Sequence, residues 1–305
     1  MDQIATPILD FLWACLNIIL CVLSLKVFPL AWHIRSYYSY FFHYLIDKRP
    51  VPECTLSRLT LFQPTVWTSS TPLGEIDIMG HKSNSTYFTD CDAARNYHMC
   101  CLFRLGLRSR SKGGMSFINP GNRKGTRDEP FYPALGAVTC TFRKAIQPGQ
   151  RYDIVTQTLS WDEKWVYLIS YFVRRGAFTP VHFSDRPKRK PQNCVREDME
   201  LPYSQGKSQD SAVLAISVAR IVFKKGRKTI PPAEFLRDCG YLPSADQSPP
   251  LQSKEESGSD CDGSKLMDAI EEHRRRGLQM AQSINGLDDG LSLFDVNGKS
   301  AYAKF

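Results

Sequence analysis

The sequence lacks the short motifs on which several large enzyme classes depend. No Gly-x-Ser-x-Gly segment occurs, which argues against the nucleophile elbow of α/β-hydrolases. No glycine-rich phosphate loop and no paired-histidine metal motif occurs either, so neither a cofactor nor a metal is predicted. The ten cysteines follow no disulfide or zinc spacing, which indicates free thiols in a reducing compartment.

Negative charge is scarce relative to positive charge. The 305 residues carry a net charge of +8, and basic residues are concentrated in 108–127 and 186–196. Such a surface suits an anionic partner, such as the phosphates of coenzyme A, an acidic carrier protein or an anionic membrane. The run Pro187–Pro191 resembles a nuclear signal, but no DNA or RNA recognition motif accompanies it. We therefore expect no nucleic-acid partner.

The first 50 residues contain a long stretch with almost no charge. Between Phe11 and Trp32 the only charged residue is Lys26, and about 22 such residues are long enough to cross a bilayer as a helix. An aromatic cluster suited to a membrane interface follows at 37–44. Residues 1–50 are therefore predicted to be a transmembrane anchor with an aromatic juxtamembrane segment. The alternative is a helix that is buried against the rest of the protein.

The charges that flank this stretch predict its orientation. Asp2 and Asp10 precede it, whereas Arg35, Lys48 and Arg49 follow it. Positive flanking residues favour the cytoplasmic side of a membrane. The sequence thus predicts a single-pass membrane protein whose folded domain lies in the cytosol.

The middle of the chain has the pattern of an antiparallel sheet. Period-two alternation and turn signals predict five strands, which lie at 55–67, 134–142, 152–160, 165–173 and 212–224. A short helix is expected after Pro231. The predicted divisions after the anchor are a folded domain at 51–243, a disordered linker at 244–264, and a C-terminal helix and tail at 265–305.

The stretch from Glu75 to Leu107 combines a tight turn with a long helix. Gly80 suits the turn, and the candidate helix caps are Ser83, Asn84, Ser85 and Thr86. A carboxylate such as Asp77, placed just before a helix N-terminus, can attack a thioester carbonyl or activate a water to do so. The free N–H groups of the first helical turn can stabilise the oxyanion that forms. The alternative is that Asp77 only caps a turn.

This stretch resembles the signature of hotdog-fold acyl-thioester hydrolases, the relatives of 4-hydroxybenzoyl-CoA thioesterase. Their signature is Asp-x-x-Gly-His-Met-Asn-Asn-x-x-Tyr, and the chain has Asp77-x-x-Gly-His81-x-x-Asn84-x-x-Tyr87. The likeness is to thioesterase-superfamily-member-six-like proteins and to fungal thioesterases of secondary-metabolite clusters. It extends over 81–92, 161–167 and 223–232. Two departures are that Lys82-Ser83 replaces Met-Asn and that Glu75 stands where Asp is common.

The resemblance implies an α+β hotdog fold, in which a curved antiparallel sheet wraps a long helix. Here the N-terminal transmembrane helix and a C-terminal helical extension would be added to it. The resemblance also implies a homodimer with the active site at its interface. The hypothesis is a membrane-anchored thioesterase acting on an acyl-CoA or carrier-bound acyl or polyketide thioester in secondary metabolism. The alternative is a non-catalytic hotdog protein that binds an acyl chain or acts as a scaffold.

The resemblance also assigns roles to residues. Asp77 would be base or nucleophile, His81 and Asn84 would position the loop or a water, and backbone N–H groups would stabilise the oxyanion at Ser85, Thr86 and Tyr87. Each side chain has a structural alternative: a backbone hydrogen bond for His81, helix capping for Asn84 and core packing for Tyr87.

Other side chains in the likeness suggest contacts outside the reacting centre. Phosphates of the substrate are assigned to the basic residues Arg174, Arg175, Lys224 and Lys225, for which a solvated strand end is the alternative. Trp161 and Trp165 are predicted to pack structurally rather than to stack on a ligand.

Overall fold

The computed structural model describes residues 2–23, 25–46, 58–110, 129, 131–178, 212–243 and 260–285. The strands are β1 Thr65–Ser70, β2 Phe131–Phe142, β3 Arg151–Trp161, β4 Val166–Arg174, β5 Val213–Lys225 and β6 Lys228–Ile230. The helices are α1 Asp2–Leu23, α2 Ala31–Ser39, α3 Asn84–Leu102, α4 Arg104–Arg110, α5 Pro232–Asp238 and α6 Asp260–Asn285. Shorter helical turns are Leu25–Val27, Tyr40–Ile46, Arg58–Phe62 and Leu73–Glu75.

The strands form one antiparallel sheet in the order β1-β3-β4-β5-β2, and β6 pairs with β5. Helix α3 lies on one face of the sheet. There Tyr87, Cys91 and Ala94 pack in a buried cluster with Tyr152 and Phe172. The predicted α+β architecture, a long helix against an antiparallel sheet, is confirmed.

Helix α6 covers the opposite face of the sheet. Ala281 is buried with Leu159 of β3, and a Cβ at Gly277 would collide with the Leu159 carbonyl oxygen. The Arg274 carbonyl accepts a hydrogen bond from the Ser160 hydroxyl at 2.6 Å. Because both faces are covered, nearly every residue of β3 is buried. The C-terminal extension is therefore packed against the sheet.

Two predicted elements differ in detail. The predicted strand at 55–67 begins only at Thr65, because residues 58–62 form a 3₁₀ turn that buries both Leu61 and Phe62 in one cluster. Of the four candidate helix caps, Ser83 takes the cap position, since α3 begins at Asn84. The helix is also interrupted at Phe103, a fully buried ring whose turn directs α4 onto α5.

The predicted transmembrane helix from Phe11 to Trp32 is not found. Helix α1 ends at Leu23, a 3₁₀ turn follows, and Leu30 has a left-handed φ of 69° before α2 begins. Lys26, the one charged residue of the predicted span, contacts buried carboxylates. In the described part of the chain, no helix combines the length and the apolar character needed to cross a membrane.

Several predicted segments lie outside the described residues. These are most of the basic stretch 108–127, all of the basic stretch 186–196, the linker up to residue 259 and the tail after residue 285. Helix α6 begins at Asp260, inside the segment predicted as linker.

Candidate active site

The segment from Glu75 to Ser83 forms a closed loop at one end of the sheet. The Asp77 N–H donates to the His81 carbonyl at 2.9 Å, and the Ser83 N–H donates to the Glu75 carbonyl at 2.7 Å. Gly80 has a φ of 79°, which a side chain rarely adopts, so the predicted turn at this glycine is confirmed. The two ends of the loop are therefore held together, and its tip points away from the sheet.

The loop brings Asp77 and His81 together. Asp77 Oδ1 accepts hydrogen bonds from the backbone N–H groups of Met79 at 2.9 Å and His81 at 3.4 Å. Its Oδ2 lies 3.3 Å from His81 Nδ1, and the Asp77 side chain is 26% exposed. One oxygen of the carboxylate thus stabilises the turn, while the other faces the imidazole and remains reachable from solvent.

The N-terminus of α3 follows this loop directly. Ser83, in the cap position, makes no side-chain cap hydrogen bond, and Asn84 and Ser85 are exposed. Of the predicted oxyanion donors, the Thr86 N–H already donates to the Ser83 carbonyl at 3.0 Å. Asn84 is the first helical residue rather than the cap. The first turn therefore presents its exposed donors at Asn84 and Ser85.

Tyr87 belongs to the core. Its side chain is 2% exposed, and its ring lies 4.9 Å from that of Phe142 and 5.1 Å from that of Phe172. Burial raises the pKa of Tyr87 to about 12. Its phenol thus remains protonated at neutral pH, and its side chain serves packing.

A buried cluster of charges lies beneath the loop, and the sequence did not predict it. Lys82 Nζ lies 2.5 Å from Glu75 Oε2 and 3.0 Å from Asp90 Oδ2. Lys26 Nζ lies 2.9 Å from both carboxylates, and Arg35 Nη1 lies 3.0 Å from Asp90 Oδ1. The two departures from the hydrolase signature, Glu75 and Lys82, are thus partners in one ion pair.

The electrostatics of this cluster favour its charged form at Asp90. Burial alone would raise the pKa of Asp90, but Lys26, Lys82 and the Tyr152 hydroxyl together lower it to about 2. Burial lowers the pKa of Lys26 from its usual value, and the two carboxylates oppose that shift. Burial and the neighbouring Asp90 raise the pKa of Tyr152. The Tyr152 hydroxyl therefore stays protonated and donates a hydrogen bond to Asp90, which stays ionised.

The four predicted phosphate contacts do not form one site within the described chain. Arg174 and Arg175 lie where β4 ends, beside the start of β5, whereas Lys224 and Lys225 lie at the far end of β5. Eleven residue steps along a strand span roughly 35 Å. Arg174 pairs with Tyr152, which contacts Asp90 in the cluster beneath the Asp77 loop. The two arginines therefore lie at the end of the sheet that carries this loop, and the two lysines do not. Within one protomer the two arginines and the two lysines therefore cannot hold the same phosphate, and the assignment of phosphate contacts to these residues stays a prediction.

The two tryptophans pack structurally, as predicted. Trp161 is 6% exposed and stacks on Phe62 with ring centroids 6.1 Å apart. Trp165 covers Gly136, and the Arg220 guanidinium lies 4.8 Å from its ring. Both lie at the β3–β4 turn, at the other end of β3 from the Asp77 loop.

Comparison with known proteins identifies the family. The model of the thioesterase-like superfamily matches residues 71–236, which include the loop, α3 and strands β2 to β5. The chain belongs to this superfamily. The predicted resemblance to thioesterases and the predicted enzyme class, a thioester hydrolase, are confirmed.

Two named thioesterases are similar to this chain over most of its length, and a third relative is similar over about a third of it. Thioesterase poxG of Penicillium oxalicum is 32% identical over 280 residues, covering 91% of this chain and 85% of the relative. Probable thioesterase atnL of Emericella nidulans is 32% identical over 271 residues, covering 88% and 83%. Protein THEM6 of Danio rerio is 31% identical over 104 residues, covering 34% and 43%. Both branches named from the motif are represented.

Proposed function

We propose that this protein hydrolyses an acyl thioester carried by coenzyme A or by a carrier protein, with Asp77 as base or nucleophile. The observation that carries the proposal is the solvent-reachable Asp77 carboxylate, held by a closed loop directly before an exposed helix N-terminus. Superfamily membership supports the reaction class.

The reaction needs one attacking oxygen and one stabilised oxyanion. In the base route, Asp77 takes a proton from water, the water oxygen bonds to the carbonyl carbon, and the carbon–sulfur bond breaks. In the nucleophile route, Asp77 itself bonds to that carbon, the thiolate leaves, and water cleaves the anhydride. In both routes the leaving thiolate takes up a proton. We assign the oxyanion to the N–H group of Ser85 and the orientation of Asp77 to His81, with Asn84 beside the entering carbonyl.

The carrier is proposed to place its phosphates against arginines at the same end of the sheet. Arg151, Arg174 and Arg175 are all exposed there. Arg175 Nη1 lies 3.8 Å from the buried Asp153, which limits the directions that the guanidinium can take. Arginine suits phosphate oxygens because its planar donors match their geometry.

A second copy of the chain is proposed to pair along β2, giving the homodimer. Strand β2 is an edge of the sheet, is twelve residues long and contains no charged residue. Leu135 and Phe142 are exposed on it. A long edge without charge favours pairing with another strand. In this arrangement side chains of one protomer would reach the Asp77 loop of the other.

We also propose that the protein works at a membrane surface with its folded domain in the cytosol. Helices α1 and α2 and the turn after them expose many large apolar side chains, among them Phe11, Trp13, Trp32, Tyr38 and Phe41. Such side chains favour the interfacial region of a bilayer. Flotation of the full chain with anionic vesicles tests this, and a protein that stays in the dense fraction would refute it.

The reaction is proposed to serve secondary metabolism, by releasing an acyl or polyketide product from its carrier. The likeness to fungal thioesterases supports this placement. The measurement is the metabolite profile of the source organism after the gene is deleted. Loss of one family of acyl-derived products is expected, and an unchanged profile would contradict the proposal.

The decisive experiment compares two carboxylates that have the same local role. Asp77 accepts two backbone N–H bonds in its turn, and so does Asp162 in the β3–β4 turn. We expect Asp77→Asn to lower kcat on acyl-CoA and acyl-carrier substrates by about 100-fold or more. Asp162→Asn should leave kcat nearly unchanged. Equal small effects from both variants would mean that Asp77 only caps its turn.

A further inference from the structure

The N-terminal segment reaches the base of the Asp77 loop through one side chain. Lys26 lies in the turn Leu25–Val27, and its ammonium donates to the Ser70 carbonyl at 2.7 Å and to Glu75 Oε2 at 2.9 Å. Glu75 is the first residue of the loop, and its carbonyl receives the Ser83 N–H that closes the loop. Lys26 thus bonds both the strand that leads into the loop and the loop itself.

Packing reinforces this contact. A Cβ at Gly74 would lie 2.6 Å from Val27 Cγ2, so the turn that carries Lys26 rests directly on the backbone beside Glu75. The Lys26 side chain is 12% exposed, and the Glu75 side chain is 2% exposed. A buried ion pair with additional hydrogen bonds holds its partners in one geometry when every member is satisfied.

Lys26 and Lys82 are the two cations of the cluster that contact Glu75. Lys82 lies against both Glu75 and Asp90. Lys26 contacts the same two carboxylates. Arg35 also comes from the N-terminal segment, but it contacts Asp90 and not Glu75. Lys26 and Arg35 therefore differ in whether they touch the loop.

We propose that Lys26 is a positioning residue for Asp77, so that the N-terminal segment forms part of the catalytic scaffold of this thioesterase. The proposal rests on the proposed role of Asp77. Lys26 does not touch substrate. It fixes the position of Glu75. Glu75 and Lys82 in turn close the loop, and the closed loop sets the direction of the Asp77 carboxylate. Precise catalytic geometry requires that the reacting group be held by neighbours that are themselves fixed by packing and hydrogen bonds.

The test uses the full chain with Lys26→Met, and Arg35→Met as the matched control. Two readouts are followed: steady-state hydrolysis of acyl-CoA esters, and hydrogen exchange of the amides of 77, 82 and 83, which close the loop. For Lys26→Met we expect kcat to fall by about 10- to 100-fold with KM within about twofold, since misplacement of a reacting group costs turnover. Exchange of the loop amides should rise by about tenfold because their closing bonds open locally.

Arg35→Met should leave loop exchange and kcat within about twofold of the wild type, even where it lowers the unfolding temperature, because in the cluster Arg35 contacts Asp90 and neither Glu75 nor Lys82. Lys26→Arg, which retains the charge, should recover part of kcat. Equal loop exchange in the wild type and Lys26→Met would overturn the proposal, whatever the change in unfolding temperature. If Lys26→Met does not fold, Glu75→Gln removes the loop's charged acceptor instead, and the same rise in exchange is expected.

The readouts separate the two levels of argument. If Lys26→Met exchanges its loop amides faster but the wild type hydrolyses no thioester, the result would support the positioning contact and contradict the proposed function. Hydrolysis that depends on Asp77 but is unaffected by Lys26→Met would support the function and reject the positioning role.

Discussion

Replacing Asp90 by Asn gives a sharp test of the buried charge cluster. Asp90 is fully buried and contacts Lys26, Lys82 and Arg35, and it also accepts a hydrogen bond from Tyr152. Asn has nearly the same shape but no charge. After the substitution, Lys26 and Lys82 would share the single carboxylate of Glu75, and Arg35 would lose the carboxylate charge that it faces in the cluster. Leaving buried charges without their partner costs roughly 3–5 kcal/mol of the free energy of unfolding at neutral pH.

Part of this cost depends on pH, and its sign follows from the pKa. The pKa of Asp90 is lowered from 3.8 to about 2 in the folded protein. Its ionised form therefore stabilises the fold above the unfolded pKa, and this contribution is lost as pH falls through the folded pKa. The difference corresponds to about 2 kcal/mol at 1.36 kcal/mol per pKa unit. The gap between wild type and Asp90→Asn should thus narrow by about 2 kcal/mol between pH 5 and pH 2.

The assay is urea unfolding of both full-length proteins at a series of pH values. The difference between the two proteins isolates Asp90, because every other group titrates in both. Asp268→Asn, an exposed carboxylate on α6, is the control and should stay within about 0.5 kcal/mol of wild type at every pH. A gap below about 1 kcal/mol at neutral pH would refute the ion cluster. A gap that does not change with pH would refute the lowered pKa.

Two further predictions concern the sheet. His98 is fully buried between Thr65 and Thr158, and burial lowers its pKa to about 3, so stability is lost as pH falls below the unfolded value near 6.5. Between pH 7 and pH 5 the free energy of unfolding should fall by about 2 kcal/mol in the wild type, and this loss should be absent in His98→Gln. The measurement is urea unfolding at both pH values, and the same pH dependence in the two proteins would contradict the prediction. Leu135→Asp should convert the proposed homodimer to a monomer, because it places charge on the β2 edge, and sedimentation velocity measures this change. A wild-type monomer, or a variant that remains dimeric, would exclude pairing through β2.

The strands that were predicted well are those with local signals. Strands β3 and β4 begin and end within two residues of expectation, because alternation marks their faces and 161–164 marks their turn. The segment 58–62 misled the prediction because its apolar residues suited a strand. A strand would place Leu61 and Phe62 on opposite faces, whereas a 3₁₀ turn buries both in one cluster.

The loop was predictable and its support was not. The motif from Asp77 to Tyr87 is continuous in sequence, so the turn and the helix start could be located from residue types. The contacts beneath it join residues far apart in the chain, such as Lys26 with Glu75 and Asp90. One signal was present: Glu75 and Lys82 both depart from the hydrolase signature, and each departure introduces a group that the other can pair with.

Lys26 also constrains the membrane contact that we propose. A single lysine in an apolar stretch has two common solutions: it extends to the water at a bilayer interface or pairs with buried anions. Here it pairs with Glu75 and Asp90, so residues 25–35 are bound to the folded domain. The bilayer contact that we propose therefore falls to α1 and to the outward aromatic side chains of α2. The base of the Asp77 loop is bonded to the same segment through Lys26, and the loop exposes two apolar side chains of its own, Ile78 and Met79. An acyl chain held at the membrane surface would then lie close to the carboxylate that is proposed to release it.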